Sequence, residues 1–75
     1  MKPFNLEEAK AGAKICTRDG RPVRIICYDR IDEAYPIVAL ITNDFDEPED
    51  IEDYTIDGYY ISIKLGHDYD LMLAD

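Results

Sequence analysis

The sequence contains Thr17-Arg18-Asp19-Gly20-Arg21-Pro22-Val23-Arg24-Ile25 and, thirty-eight residues later, Thr55-Ile56-Asp57-Gly58-Tyr59-Tyr60-Ile61-Ser62-Ile63. Both stretches follow the pattern T-x-D-G-x-x-x-x-I, with Asp-Gly between residues that favour strands. Asp-Gly is a strong hairpin signal because a type I′ turn needs positive φ at both central residues. The repeat therefore predicts two β-hairpins within a small antiparallel β domain.

A two-residue loop fixes the register of the first hairpin. With Asp19-Gly20 as the loop, Cys16 faces Val23 on an apolar face. Cys27 shares that face but lies four residues beyond Val23, a separation of about 13 Å that exceeds the reach of a disulfide. Both cysteines are therefore predicted to be buried, unbridged thiols.

The second hairpin follows the same logic, with Asp57-Gly58 as its loop. Tyr54 then faces Ile61, and Glu52 faces Ile63, on an apolar face that belongs to the core. The opposite face carries Tyr60 among polar residues and is predicted to be wet. Tyr60 is thus the tyrosine best placed for an exposed contact, although the six tyrosines of the chain also suit ordinary strand positions.

The remaining elements follow from local signals. Asn5-Leu6-Glu7-Glu8 fits a capping box, and Gly12 suits the position after a helix end, so residues 4–12 are predicted to hold one short capped helix. Tyr35-Pro36-Ile37-Val38-Ala39-Leu40-Ile41-Thr42 is apolar on both faces and predicts a central strand. The run Ile25-Ile26-Cys27-Tyr28 indicates a bulge or burial on both faces. Tyr69 to Leu73 is predicted to form either the last strand or an irregular closing segment.

Together these elements predict one mainly β domain over residues 1–75. The expected fold is a small antiparallel five-stranded meander with one short N-terminal helix, rolled into an SH3-like or OB-like partly open barrel.

The charge of the chain limits its partners. The net charge is −9, from 17 acidic and 8 basic residues, which argues against direct binding of nucleic acid or of anionic membranes. The acidic residues concentrate in segment 43–53, which is predicted to be a long exposed loop. No stretch resembles a signal peptide or a membrane span, so a cytoplasmic location is expected.

Signals for catalysis and for metal binding are weak. The sole histidine lies in the segment His67-Asp68-Tyr69-Asp70. A zinc site needs three or four N or S ligands, and this segment offers one, so we expect a solvated turn there rather than a metal site. The acidic segment lacks the spacing of a calcium loop. With Ser62 as its only serine, the chain offers no catalytic triad. We expect no metal, no cofactor and no enzymatic activity.

The expected function is therefore that of a non-enzymatic accessory or protein-interaction module. Its partner is expected to be a protein, and the acidic charge favours a basic one. The alternative is an acidic DNA mimic that inhibits a nucleic-acid-binding protein. The candidate interaction surface consists of Tyr60, Asp44, Asp46, Glu47, Glu49 and Asp50.

Three blocks of the sequence resemble a group of short uncharacterised bacterial and prophage proteins. The shared features are a P-F-x-L-E-x-A-x-A-G start, a T-R-D-G-R hairpin and a D-Y-D-L ending, found here at Pro3–Gly12, Thr17–Arg21 and Asp68–Leu71. The resemblance covers both ends of the chain and implies a bacterial or phage-derived origin. It carries no known activity and no catalytic residues.

Overall fold

The strands of this chain form one antiparallel sheet. The computed structural model describes residues 1–43, 48–61 and 66–74. The elements are β1 (Lys2–Pro3), α1 (Leu6–Lys10), β2 (Ile15–Thr17), β3 (Pro22–Cys27), β4 (Ile37–Thr42), β5 (Glu49–Tyr54) and β6 (Leu71–Leu73). The order across the sheet is β1-β6-β2-β3-β4-β5, and every neighbouring pair is antiparallel.

The predicted fold class is confirmed, with two changes. In the described part of the chain the sheet has six strands rather than five, because β1 pairs with β6. The sheet is also open: over the described ranges β1 and β5 lie at its two edges and do not pair with each other. No helix in those ranges is long and apolar enough to cross a membrane.

Helix α1 follows the predicted capping box. The Asn5 side chain accepts a hydrogen bond from the Glu8 N–H at 2.9 Å, and Glu7 and Glu8 lie in the first turn, where the helix dipole favours negative charge. Ala9 is buried, and Phe4 and Leu6 pack against the core. This packing stabilises a helix that is too short to persist alone.

Strand β4 is paired on both sides, as its apolar sequence predicts. Its buried residues Ile37, Ala39 and Ile41 alternate with half-buried residues, so one face of the sheet points into the core and the other forms an outer face. The core contains Ala9, Ile15, Val23, Ile37, Ala39, Ile41, Tyr54, Leu71 and Leu73.

The first hairpin has a three-residue loop instead of the predicted two-residue loop. The Thr17 N–H donates to the Arg21 carbonyl at 2.8 Å, and the Gly20 N–H donates to the Thr17 carbonyl at 2.9 Å. Gly20 has a left-handed φ of 92°. A left-handed glycine at the end of a three-residue loop is the usual alternative to the type I′ turn.

The longer loop shifts the register by one residue. Ile15, and not Cys16, lies opposite Val23, whereas Cys16 lies opposite Pro22. A one-residue shift exchanges the faces of a strand, so Ile15 belongs to the core face. Cys16 remains buried but points to the outer face, and it forms no disulfide with Cys27.

A bulge interrupts β3, as the apolar run there predicts. The pairing with β4 shifts between Ile25 and Cys27, and Ile26 is 54% exposed. The alternative of burial on both faces is thereby excluded for Ile26.

The second T-x-D-G-x stretch forms the same turn as the first, but the described residues that follow it do not form the second strand of a hairpin. Thr55 N–H donates to the Tyr59 carbonyl at 2.9 Å, Gly58 N–H donates to the Thr55 carbonyl at 2.9 Å, and Tyr59 N–H donates to Thr55 Oγ1 at 3.0 Å. The first turn has the same three bonds. Residues 59–61 form no strand, and the rest of the predicted second strand, 62–64, lies outside the described residues.

The acidic segment is not the continuous loop that we predicted over residues 43–53. Glu49–Tyr54 form strand β5, which pairs with β4 along its whole length. Tyr54 therefore lies opposite Ile37 rather than Ile61, and Glu52 lies opposite Ala39. Residues 44–47 lie outside the described ranges.

Candidate functional site

Over the described residues, strand β5 is an edge of the sheet, and four of its six residues are acidic. Its six residues read Glu49-Asp50-Ile51-Glu52-Asp53-Tyr54. Over the described residues it pairs with β4 alone. An antiparallel edge strand bonds its neighbour through alternate residues, so the N–H and C=O groups of the others point away from the sheet.

The outer face of β5 presents an exposed isoleucine, Ile51. Ile51 lies opposite Leu40 in the β4–β5 ladder and is 65% exposed. A shallow groove of about 370 Å³ runs beside it and is lined by Arg30, Val38, Ile51, Glu52 and Asp53. The groove is large enough to take one apolar side chain from outside the molecule.

Two ion pairs flank Ile51 on the outer face. Arg24 Nη2 and Nε contact both Glu49 carboxylate oxygens at 2.7–2.9 Å, and hydrogen bonding to Arg24 lowers the pKa of Glu49 below its ordinary value. Arg30 Nη1 lies 2.5 Å from Asp53 Oδ2. Both outer-face carboxylates of β5 are therefore neutralised locally.

The acidic residues on the other face of β5 have no arginine partner among the described residues. Asp50 lies opposite Ile41 and Glu52 lies opposite Ala39, so both point to the core-facing side near its rim. Asp50 Oδ2 accepts a hydrogen bond from Asn43 Nδ2 at 2.9 Å. Glu52 faces the Tyr60 hydroxyl, and burial together with this carboxylate raises the pKa of Tyr60. Among the described residues, no arginine or lysine compensates their negative charge.

An aromatic cluster supports β5 from the core side. Tyr60 contacts three rings, with centroid distances of 6.0 Å to Tyr54, 4.7 Å to His67 and 5.4 Å to Tyr69. The Arg21 guanidinium lies over the Tyr69 ring at 4.4 Å. Tyr54 is completely buried, and burial raises its pKa well above the ordinary value. Its hydroxyl has no hydrogen-bond partner in the described part of the chain.

Asp70 anchors this cluster to the backbone. Its carboxylate is buried and accepts hydrogen bonds from the Tyr60 and His67 N–H groups, both at 2.8 Å. His67 Nδ1 accepts a third backbone bond, from the Tyr69 N–H at 3.0 Å. The predicted solvated turn is therefore a packed structural element.

The same segment joins the two turns of the repeat. The Arg18 N–H donates to the Asp70 carbonyl at 2.8 Å, and the Leu71 N–H donates to the Gly58 carbonyl at 2.8 Å. This segment thus bonds to both T-x-D-G-x turns and carries His67 and Tyr69 of the aromatic cluster.

Residues 1–72 match the sequence model of a protein family described as Haemophilus phage HP1 protein YO09. The chain belongs to this phage protein family. No curated protein matches the chain, and no solved structure does either. Membership in the phage HP1 family confirms the phage-type relationship that the sequence resemblance indicated.

In this member of the phage HP1 family, the predicted interaction residues separate into three groups. Glu49 and Asp50 lie on the edge strand, on opposite faces. Tyr60 is half-buried in the aromatic cluster, so its assignment to a wet strand face was wrong. Asp44, Asp46 and Glu47 lie outside the described residues.

Sequence reasoning missed the residues that shape the groove. Ile51 has two acidic residues on each side in the sequence. This pattern could have been used to predict an exposed apolar residue for contact with a partner. Arg30 and Val38 come from other parts of the chain, so only the register brings them beside Ile51. Within the ranges 1–43, 48–61 and 66–74, no group of three His, Cys, Asp or Glu residues could hold a metal ion.

Proposed function

We propose that this phage HP1 family protein is a non-enzymatic interaction module that binds an extended segment of another protein by adding it to the sheet beside β5. The observation that carries the proposal is Ile51, an exposed apolar residue at the centre of an edge strand, next to a groove that can receive a side chain. Binding by strand addition takes its affinity from backbone hydrogen bonds and its specificity from pockets for alternate side chains.

The other edge of the sheet is a poor template for the same purpose. Strand β1 contains two residues, Lys2 and Pro3, and proline has no N–H to donate. Strand β5 offers six residues. We therefore favour β5 over β1 as the edge to which a strand is added.

A second copy of the chain is a poor occupant of this edge. Antiparallel pairing of two β5 strands about Ile51 would place Asp50 opposite Glu52 of the other copy, and like charges directly opposite each other are unfavourable. Acidic residues on an edge strand protect a protein from such self-association. The occupant is therefore a different chain.

The DNA-mimic alternative receives less support from the same strand. A mimic needs uncompensated carboxylates along its surface, whereas Glu49 and Asp53 are paired with Arg24 and Arg30. We therefore favour a protein segment as the ligand.

The proposal is tested by selecting ligands from a random peptide library displayed against the full chain. A selected peptide is titrated into the ¹⁵N-labelled protein, and the shifted amide signals are mapped. We expect the largest shifts in residues 49–54. Shifts confined to another surface, such as the cleft of about 600 Å³ beside Arg18, Gly58 and Leu71, would contradict the proposal.

A pair of matched variants tests the role of Ile51. Ile51→Lys adds a charge at the edge, and Ile26→Lys adds the same charge at another exposed isoleucine, on the bulge of β3. We expect Ile51→Lys to lower the affinity for the selected peptide by about tenfold, a loss of about 1.4 kcal/mol in the free energy of binding. Ile26→Lys should bind like the parent.

A further inference from the structure

The two faces of β5 differ in charge and in shape, and this difference determines what a bound segment must look like. Residues of an added strand alternate between the faces, in step with the residues opposite them. The residue opposite Ile51 lies on the outer face, and the residues opposite Asp50 and Glu52 lie on the other face.

On the outer face, the residue of the bound segment that lies opposite Ile51 is favoured to be apolar. Ile51 is exposed there, and the groove beside it is bounded by Val38. The carboxylates next to Ile51 on this face already have partners, since Glu49 binds Arg24 and Asp53 binds Arg30. A basic side chain on this face would therefore meet two arginines and gain no free carboxylate.

On the other face, the residues of the bound segment that lie opposite Asp50 and Glu52 are favoured to be basic. Asp50 and Glu52 stand two residues apart, with no arginine or lysine paired to either among the described residues. Opposite charges on directly opposed residues of neighbouring strands stabilise their pairing. A lysine or arginine opposite each of these acids would supply the missing charge.

We infer that the segment bound at β5 has a basic–apolar–basic core, with a β-branched apolar residue opposite Ile51 and a lysine or arginine opposite each of Asp50 and Glu52. This inference rests on the proposed strand addition at β5. It names the recognition pattern: alternation of basic and apolar residues, rather than positive charge alone.

Two capped peptides of equal composition test the pattern. One contains Thr-Lys-Val-Lys-Thr and the other Lys-Thr-Val-Thr-Lys, each between the same serine flanks. With valine opposite Ile51, the first places its lysines opposite Asp50 and Glu52, whereas the second places them opposite Glu49 and Asp53. Each peptide is titrated into the ¹⁵N-labelled full chain, and the affinity is measured from the shifts of the β5 amide signals.

We expect the first peptide to bind with a dissociation constant about tenfold lower than that of the second. The double variant Asp50→Asn/Glu52→Gln should lose this preference. The double variant Glu49→Gln/Asp53→Asn removes the same amount of charge from the outer face and should keep it. Since all four positions are at the surface of an edge strand, these variants should fold.

Three results would overturn the inference. If both peptides bind β5 equally, strand addition stands and the alternating pattern is wrong. If the preference persists in the Asp50→Asn/Glu52→Gln variant, the carboxylates of Asp50 and Glu52 do not determine where the lysines bind. If neither peptide shifts the β5 amides, the pattern also fails, and the library selection described above then decides separately whether β5 binds any peptide.

Discussion

Phe4 packs directly over Gly58: a Cβ atom on residue 58 would lie 2.7 Å from Phe4 Cγ. This contact ties the start of the chain to the second T-x-D-G-x turn. The equivalent glycine of the first turn, Gly20, has open space at the same point. Both glycines have left-handed φ values, 86° at Gly58 and 92° at Gly20, so the two turns form a natural pair for comparison.

Gly58→Ala should destabilise the protein more than Gly20→Ala. Both changes place a Cβ at positive φ, at a cost of roughly 1–2 kcal/mol. Only the change at residue 58 must also displace Phe4, which adds on the order of 1–3 kcal/mol. Urea unfolding of the two variants measures the difference. Equal losses would show that Phe4 does not pack on the turn.

Asp70→Asn should be strongly destabilising although it changes few atoms. The buried carboxylate accepts two backbone N–H bonds, and an asparagine would direct an NH₂ group toward one of these donors. We expect a loss of about 2 kcal/mol in the free energy of unfolding. Asp68→Asn, at an exposed residue of the same segment, is the control and should unfold like the parent.

Tyr54→Phe should stabilise the protein or leave its stability unchanged. The Tyr54 hydroxyl is buried without a hydrogen-bond partner among the described residues, and an unsatisfied buried hydroxyl costs about 1–3 kcal/mol. Thermal unfolding gives the answer. A clear loss of stability in the phenylalanine variant would mean that the hydroxyl has a partner in solution.

Alkaline pH should destabilise the protein through the same tyrosine. Burial raises the pKa of Tyr54 above its ordinary value of 10.0, so the folded protein holds the phenol proton more tightly than the unfolded chain does. This contribution to stability is fully present below about pH 10 and is lost as the pH rises further. Urea unfolding between about pH 8 and pH 11 should show the decline. Tyr54→Phe should make it shallower, and an unchanged slope would contradict the assignment to Tyr54.

The parts of the fold that sequence predicted correctly depend on neighbours along the chain. The Asn5 cap and the two Asp-Gly turns are each determined by residues no more than four positions away along the chain. The register of the first hairpin was missed by one residue because the Thr17 hydroxyl accepts the Arg21 N–H, which stabilises the longer loop. Nothing in an Asp-Gly pair alone distinguishes the two loops.

The candidate site was harder to predict because it depends on tertiary pairing. Acidic residues are depleted in strands, so segment 43–53 was interpreted as a loop, yet charge is common on edge strands. Residues His67 to Asp70 were predicted to form a solvated turn because they offer too few zinc ligands, yet Asp70 is buried. Its partners are the Tyr60 and His67 backbone groups, and the sequence does not reveal that these amides converge on it.

The most direct test of strand addition is the observation of intermolecular backbone contacts. A peptide selected from the random library is bound to the labelled protein, and nuclear Overhauser effects are recorded between the backbone protons of the peptide and those of the protein. Strand addition predicts a ladder of such contacts along Glu49–Tyr54, with a peptide side chain contacting Ile51 and Val38. Contacts that involve only side chains, or a ladder along any other strand, would contradict it.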